Sequence, residues 1–478
     1  MRRRPLAPRR RLLLRLLLAA AAVARHGALA LSRRGWNSWD STCASDPAGN
    51  ANESRTLAVA QFMHDELLPF GWDLLTIDEG WYWFGGMQSQ NASLDAFGRP
   101  APREDQYPSA AGGAGFGPLA ARVAALGLDL GVWTMRGIPR AAAAQKLPIA
   151  GSASALTCDM AVDPQRPNAC GWNGYTFGCA INATTGACVD AAVAYYESVA
   201  ALYRAWGLRF VKVDCMWGGP TPGAYDADVA AFTEAFRGSG IDVSMSPGGG
   251  VSAQNVTFLA ENRLAVMTRV TNDFWDNWGS LKAHVTVAEA FEPFFAAADG
   301  AAFATYPDLD MMPIGDIIVD GRLAPSRFLP SEARLLVTLW SFAGAPMIMG
   351  GSLPLSSGDG ATLALLTNAA VLRVHDAAHA RRVLRPLAGG ADAHAWAAAP
   401  DEAPGDAYVA LINAADPPAP ANVSVALADM PWLRAGPRGV CALDLWTGAA
   451  VPGAAAAAGA FTAPVDAHAA AAFRLSAC

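Results

Sequence analysis

Acidic side chains recur in this sequence at one kind of place, the end of a short apolar run. Asp78 and Glu79 close WDLLTIDE, Asp214 closes RFVKVD, Asp273 closes AVMTRVTND, and Asp308 and Asp310 lie in YPDLD. Aromatic and basic side chains accompany them: Trp39 ends GWNSW, Trp133 lies in LDLGVWT, Lys212 stands two residues before Asp214, and Arg269 four before Asp273. Two carboxyl groups can divide the work of breaking a glycosidic bond, one attacking the sugar and one passing a proton. Flat aromatic rings suit the apolar C–H faces of sugars. Other chemistries lack their parts. There are seven histidines, no Gly-x-Ser-x-Gly elbow and no His/Cys cluster at metal-ligand spacing. SPGGGV lacks the Gly-Lys-Ser/Thr of a phosphate loop. No metal and no cofactor are expected.

One aspartate at a strand end is often only a turn former or a helix cap. Acids at the ends of several strands need a frame that makes them converge. Eight runs read as strands: residues 35–39, 72–78, 128–134, 209–214, 241–246, 265–273, 301–310 and 345–351. Helical patterns separate them, as in VDAAVAYYESVAALYRAWG, where Val193, Tyr196, Val199, Ala200, Tyr203 and Trp206 recur at helical spacing. Eight strands alternating with helices predict a (β/α)8 barrel over residues 31–383, with its chemistry at the C-terminal strand ends. In RFVKVD the period of two puts Lys212 on the face of Asp214, where its cation favours an ionised carboxylate. After residue 384 short apolar runs such as DAYVALINA and AAAFRLSAC, parted by turn-rich stretches, predict a small antiparallel β-sandwich to residue 478.

The motifs, in order, resemble glycoside hydrolase family 27, the melibiase or α-galactosidase family. RGWNSWDS is similar to its opening strand, and LLTIDEGWY resembles its Ile-Asp-Asp-x-Trp motif. FVKVDCMWG resembles its Lys-x-Asp nucleophile strand, TRVTNDFWDNW its Arg-x-x-x-Asp strand, and YPDLDMMPIG its Asp-Pro-Asp-Met segment. LGVWTMRGIPR is similar to a largely microbial branch. The resemblance covers roughly residues 34–380 and implies a retaining double displacement. Asp214 would be the nucleophile and Asp273 the acid/base, their carboxyl groups about 5–6 Å apart. Phe274 and Trp275 would give Asp273 an apolar wall that raises its pKa. Trp39 and Trp133 would pack on the sugar, Asp78 would accept from its 4- and 6-hydroxyls, Lys212 would bind it, and Arg269 and Asp310 would hold its 2- and 3-hydroxyl side. Glu79 stands where the family usually has aspartate, which alters that reach. Many α-galactosidases end strand five on Cys-Glu-Trp, whose glutamate reads the 2-hydroxyl. Here it runs SMSPGGG, Ser244 to Gly250, with no acid. The implied activity is therefore α-galactosidase, with α-N-acetylgalactosaminidase and β-L-arabinopyranosidase as alternatives. A non-catalytic sugar-binding homologue would lack one of the two aspartates. The loop from Ile138 to Cys188 should overhang the site, with Trp172 offering a further subsite.

The rest of the chain says where such a protein would work. Arg-rich residues, then the Leu/Ala run Leu12 to Ala24 and small-residue sites at Ala22-Val23-Ala24 and Ala28-Leu29-Ala30, have the layout of a signal peptide over residues 1–30. An organelle transit peptide is the rival, and the run is short for a membrane span. Sequons at Asn52, Asn91, Asn182, Asn255 and Asn422 and eight cysteines suit a secreted or vacuolar/lysosomal glycoprotein with disulfides. Cys158, Cys170, Cys179 and Cys188 read as a stapled loop of undecided connectivity, and Cys441 with Cys478 as a closure of the C-terminal domain. A net charge of −7, with no basic patch after residue 34, argues against nucleic acid. The partner is expected to be a galactose-containing oligosaccharide or glycoconjugate. A homodimer is one option for the assembly, which the sequence leaves open.

Overall fold

The computed structural model describes residues 32–42, 51–84, 91–152, 155–166, 170, 173–217, 225–246, 251–262, 265–298, 305–319, 321–356, 358–437, 439–451 and 459–478. The expected signal segment, Cys43, Trp172 and Pro247 to Gly250 lie outside them.

Eight strands form one parallel sheet: β1 (Arg34–Asn37), β2 (Leu74–Ile77), β3 (Asp129–Met135), β4 (Phe210–Asp214), β5 (Asp242–Ser246), β6 (Met267–Arg269), β7 (Tyr306–Asp308) and β8 (Met347–Met349). From β1 to β7 each pairs with the next in sequence, and β8 pairs with β1. Between β7 and β8 the ring closes just past β7, where Met312 bridges Met349. There the Met312 N–H donates to Ile348 O at 2.7 Å and the Gly350 N–H to Met312 O at 3.0 Å. The main helices between strands are α1 (Glu53–Phe62), α2 (Gly117–Ala125), α3 (Asp190–Ala205), α4 (Asp226–Phe236), α5 (Ala253–Asn262), α6 (Trp278–Ala290) and α7 (Pro330–Ala343), with α8 (Ala369–Asp376) after β8. In α3 the predicted stripe of Tyr196, Val199, Ala200 and Tyr203 is buried. The barrel expected from the sequence is thus present. Most strands are shorter than their apolar runs, because the runs continue into loops that build the upper rim.

At the lower rim Arg33 bolts strand beginnings together. Its guanidinium reaches Asp242 (2.8 Å), Asp129 (2.7 Å) and Asp73 (3.4 Å), at the starts of β5, β3 and β2. This charge cluster lies opposite the strand ends that hold the acids.

Helix α7 is apolar on nearly every side and buried from Leu335 to Ala343, as befits a wall shared by two domains. Each fully buried leucine there contributes about 1.5–3 kcal/mol. The Glu332 carboxylate caps its start by accepting from the Leu329 N–H at 2.9 Å. Beyond α8 a six-stranded antiparallel sheet packs on α7, and Trp446 donates its indole N–H to Thr338 Oγ1 at 3.0 Å. In chain order the strands here are β9 (Ala378–Leu384), β10 (Ala393–Pro400), β11 (Ala407–Asn413), β12 (Ala421–Ala426), β13 (Val440–Asp444), β14 (Ala450–Val451), β15 (Ala460–Val465) and β16 (Ala469–Ala477). The large sheet runs β9-β10-β11-β16-β13-β14, and β12 pairs with β15. The sheet therefore begins at Ala378, before residue 384. Disulfides join Cys170 to Cys215, Cys179 to Cys188 and Cys441 to Cys478, while Cys158 is buried and has no disulfide partner among the described residues. The last closes the C-terminal domain on itself. The first ties the long loop after β3 to the tip of β4.

Candidate active site

Strand β4 alternates fully buried residues with the partly buried Lys212 and Asp214, so both side chains share one face. The register sets Lys212 between Trp133 and Ser244, and Asp214 between Met135 and Ser246. The Lys212 ammonium donates to Asp78 Oδ2 at 2.9 Å. That oxygen also accepts from Asn37 Nδ2 at 2.6 Å, and Asp78 Oδ1 accepts from the Glu79 N–H at 2.8 Å. Asn37 in turn accepts the Trp39 N–H at 2.8 Å, which sets the partly exposed Trp39 at the rim. Three strand ends are thus tied around one buried carboxylate.

Asp214 accepts the Cys215 N–H on Oδ1 at 2.7 Å and the Trp133 indole N–H on Oδ2 at 3.2 Å. Burial raises its pKa, while Lys212, Arg269 and these two donors pull it back down. Lys212 and Arg269 are themselves held charged, their pKa values raised by the acids around them against the effect of burial. Cys215 has φ of 59°, a left-handed conformation unusual for a side-chain-bearing residue, and the disulfide to Cys170 anchors it there. Behind it lies Arg136, with no exposed surface. Its Nε donates to Cys215 O at 2.8 Å and its N–H to Asp214 O at 3.1 Å. Asp228 neutralises this cation at 3.3 Å and shares a second, Arg166, at 2.6 Å.

Across the mouth, Arg269 at the end of β6 reaches Asp273 Oδ1 at 2.9 Å and Asp310 Oδ2 at 3.5 Å. Asp310 has φ of 77° and accepts the Phe274 and Met311 N–H groups at 2.9 and 2.8 Å. Beneath it burial pushes Asp308 up to about 7, helped by the charge of Asp310.

Two further acids are held toward their neutral forms. Glu79 is pushed up to about 9 by burial and by the charges of Asp78 and Asp214, so at neutral pH it keeps a donor O–H. Asp40, just past Trp39, is pushed up to about 8 by burial and by Asp310, and its Oδ2 has no hydrogen-bond partner among the described residues. A Cβ on Gly350 would come within 1.8 Å of that oxygen, so only glycine fits at the end of β8.

The nine residues expected to react or to bind sugar gather at or just below the strand ends, and two differ from expectation in setting. Trp133 is 1% exposed, its ring against Tyr82 and Trp83, so it offers Asp214 an N–H rather than a sugar a face. Phe274 is committed to the core, 4.2 Å from the His284 ring and 5.4 Å from Trp340, and the Asp273 side chain is 66% exposed and ion-paired. The expected wall from Phe274 is therefore absent: its ring turns into the core while the Asp273 carboxylate turns to solvent. Sequence reasoning passed over Asn37, Asp40, Arg136 and Cys215. A lone arginine ending the apolar run LGVWTM was the available signal for Arg136. At the tip of β5, Ser246 is buried and its Oγ has no partner among the described residues.

A family model, the alpha galactosidase C-terminal beta sandwich domain, matches residues 390–475. A search of curated proteins found no match. Among solved structures, a glycoside hydrolase family 27 β-L-arabinopyranosidase from Geobacillus stearothermophilus is 30% identical, over 93% of this chain and 96% of that one, with a TM-score of 0.81. A proposed α-N-acetylgalactosaminidase from Bacillus halodurans is 28% identical over 95% and 99%, with a TM-score of 0.76. The α-galactosidase I of Mortierella vinacea shares the fold at 17% identity over 93% and 96%, with a TM-score of 0.63. With the barrel, the sandwich and 30% identity over most of both chains in agreement, the chain belongs to glycoside hydrolase family 27 and is a glycosidase.

Proposed function

We propose that the chain removes terminal α-D-galactopyranosyl groups with retention of configuration. One observation supports this above the others: Asp214 is partly buried and held between two N–H donors, while Asp273, two strands along, is exposed, and Arg269 faces both. Those settings suit different roles. A carboxylate fixed by hydrogen bonds presents a lone pair to the anomeric carbon. An exposed one can exchange protons with solvent. Asp214 attacks as the glycosidic C–O bond breaks, and Asp273 gives its proton to the departing oxygen. Asp273 then takes a proton from water, whose oxygen displaces Asp214 and restores the original configuration. Asp78 and Lys212 read the sugar hydroxyls beside Trp39, and Asp310 and Arg269 hold its opposite edge.

Glu79 favours a second reading, a β-L-arabinopyranosidase. β-L-Arabinopyranose has the ring configuration of α-D-galactose without the exocyclic CH2OH. Glutamate is one methylene longer than aspartate, and Glu79 is buried beside Asp78, the proposed reader of the 4- and 6-hydroxyls. The extra length takes up space a hydroxymethyl group needs. The three disulfides among the described residues and the exposed sequons Asn91, Asn182 and Asn422 support a secretory route. No described helix is long and apolar enough to cross a membrane. Aryl α-galactoside, β-L-arabinopyranoside and α-N-acetylgalactosaminide, assayed side by side with the native chain and Glu79→Asp, test the reading. Galactoside preference supports the first reading. Arabinopyranoside preference that Glu79→Asp shifts toward galactoside supports the second. Preference for the N-acetylated sugar overturns both.

A further inference from the structure

Between Arg269 and α6 the chain crosses the mouth of the barrel, and exposure along it alternates. The Asp273 side chain is 66% exposed, Phe274 3%, Trp275 45% and Asp276 1%. Residues 273–275 have neither helical nor turn conformation. The alternation sets Asp273 and Trp275 on the side turned to solvent and Phe274 and Asp276 on the side turned inward. The inner face is fixed on both sides of the indole. The Phe274 N–H donates to Asp310 Oδ2 at 2.9 Å and its ring packs on His284 and Trp340. The Asp276 carboxylate accepts the Arg327 N–H at 2.7 Å and its guanidinium Nε at 3.1 Å. The Trp275 N–H itself reaches Ser280 Oγ at 3.3 Å. An isolated exposed aromatic is ordinary on a protein surface. This one is set by its neighbours' anchors on the same face as a carboxylate at the barrel mouth.

We infer that Trp275 is the platform for the leaving group, stacking the first sugar ring beyond the scissile bond. The inference rests on the reading of Asp273 as acid/base. That group must touch the oxygen joining the two halves of the substrate, so the leaving group passes over the face Asp273 presents. A flat apolar ring on that face matches the C–H face of a pyranose, whereas a small or charged leaving group gains nothing from it.

A pair of substrates with one glycone tests this. The glycosyl fluoride has no sugar on the leaving side, and the matching glycosyl-α-(1→6)-glucose disaccharide does. Trp275→Ala should lower kcat/KM for the disaccharide by roughly tenfold and leave the fluoride within about twofold. Trp275→Phe, which keeps a ring, should retain most of the disaccharide activity. Added glucose should also capture less of the glycosyl group in the alanine variant. Equal losses on both substrates, or no loss on the disaccharide, would overturn the assignment. Fluoride turnover by the native chain reports separately on the glycone site, so the two readings fail independently.

Discussion

Replacing Lys212 by methionine keeps most of the side chain's volume and removes its charge. In a strand, side chains two residues apart are about 6.6 Å from each other. At an effective dielectric constant near 20, a cation at that distance favours an ionised carboxylate by about 2.5 kcal/mol. For Asp214 burial already opposes ionisation, and Lys212 is the foremost charge holding it down. Without that charge Asp214 takes up its proton at higher pH. A protonated carboxyl cannot attack the sugar, so activity is lost from the acid side sooner. The acid limb of kcat/KM against pH, which reports on the free enzyme, should move upward by roughly one to two pH units. The plateau should fall as well, since Asp78 loses its 2.9 Å partner. An aryl glycoside measured from pH 3 to 8 gives both quantities, and Lys212→Arg should return the limb toward its native position. A lowered plateau with an unmoved acid limb would refute the electrostatic role and leave Lys212 a sugar contact alone.

The two aspartates separate by azide rescue. Asp273→Ala should still form the glycosyl-enzyme from a substrate with a good leaving group, and azide should then yield the α-azide. Asp214→Ala should be inactive alone and yield the β-azide, so the reverse pairing would exchange their roles. Arg136→Met should cost about 3 kcal/mol or more, because it leaves Asp228 with half its counter-charge in a buried site. Thermal unfolding reads this directly, and a melting temperature unchanged from the native chain would contradict the strut behind Asp214.

The frame was legible because several barrel strands end their apolar runs on a carboxylate, as at Asp78, Asp214 and Asp308. FVKVD shows this in five letters, with apolar residues alternating against the two polar ones at the rim. What the sequence hid is long-range or directional. Nothing in a row of cysteines says that Cys170 pairs with Cys215 rather than Cys179, since pairing follows the path of a loop through space. Arg136 and Asp228 lie far apart in the chain and are intelligible only as a pair, each the reason the other can be buried. The directions of Trp133 and Phe274 were lost for another cause. A ring beside a catalytic carboxylate can face the sugar or face the core, and spacing alone does not distinguish the two.

Closure of the barrel between its first and last strands has a consequence for how the chain is made. Arg34 pairs with Met347, about 300 residues downstream. At a synthesis rate of 5–20 residues per second, β1 emerges from the ribosome roughly 15–60 seconds before its partner exists. Through that interval β1 has β2 on one side and an open edge on the other, in a chain whose neighbouring strands are almost wholly apolar. An unpaired edge of this kind is a template for the wrong partner. The hazard for this protein therefore falls during its birth. Slowing translation late in the barrel should lower the yield of native enzyme, while a holding chaperone supplied over the same window should restore it.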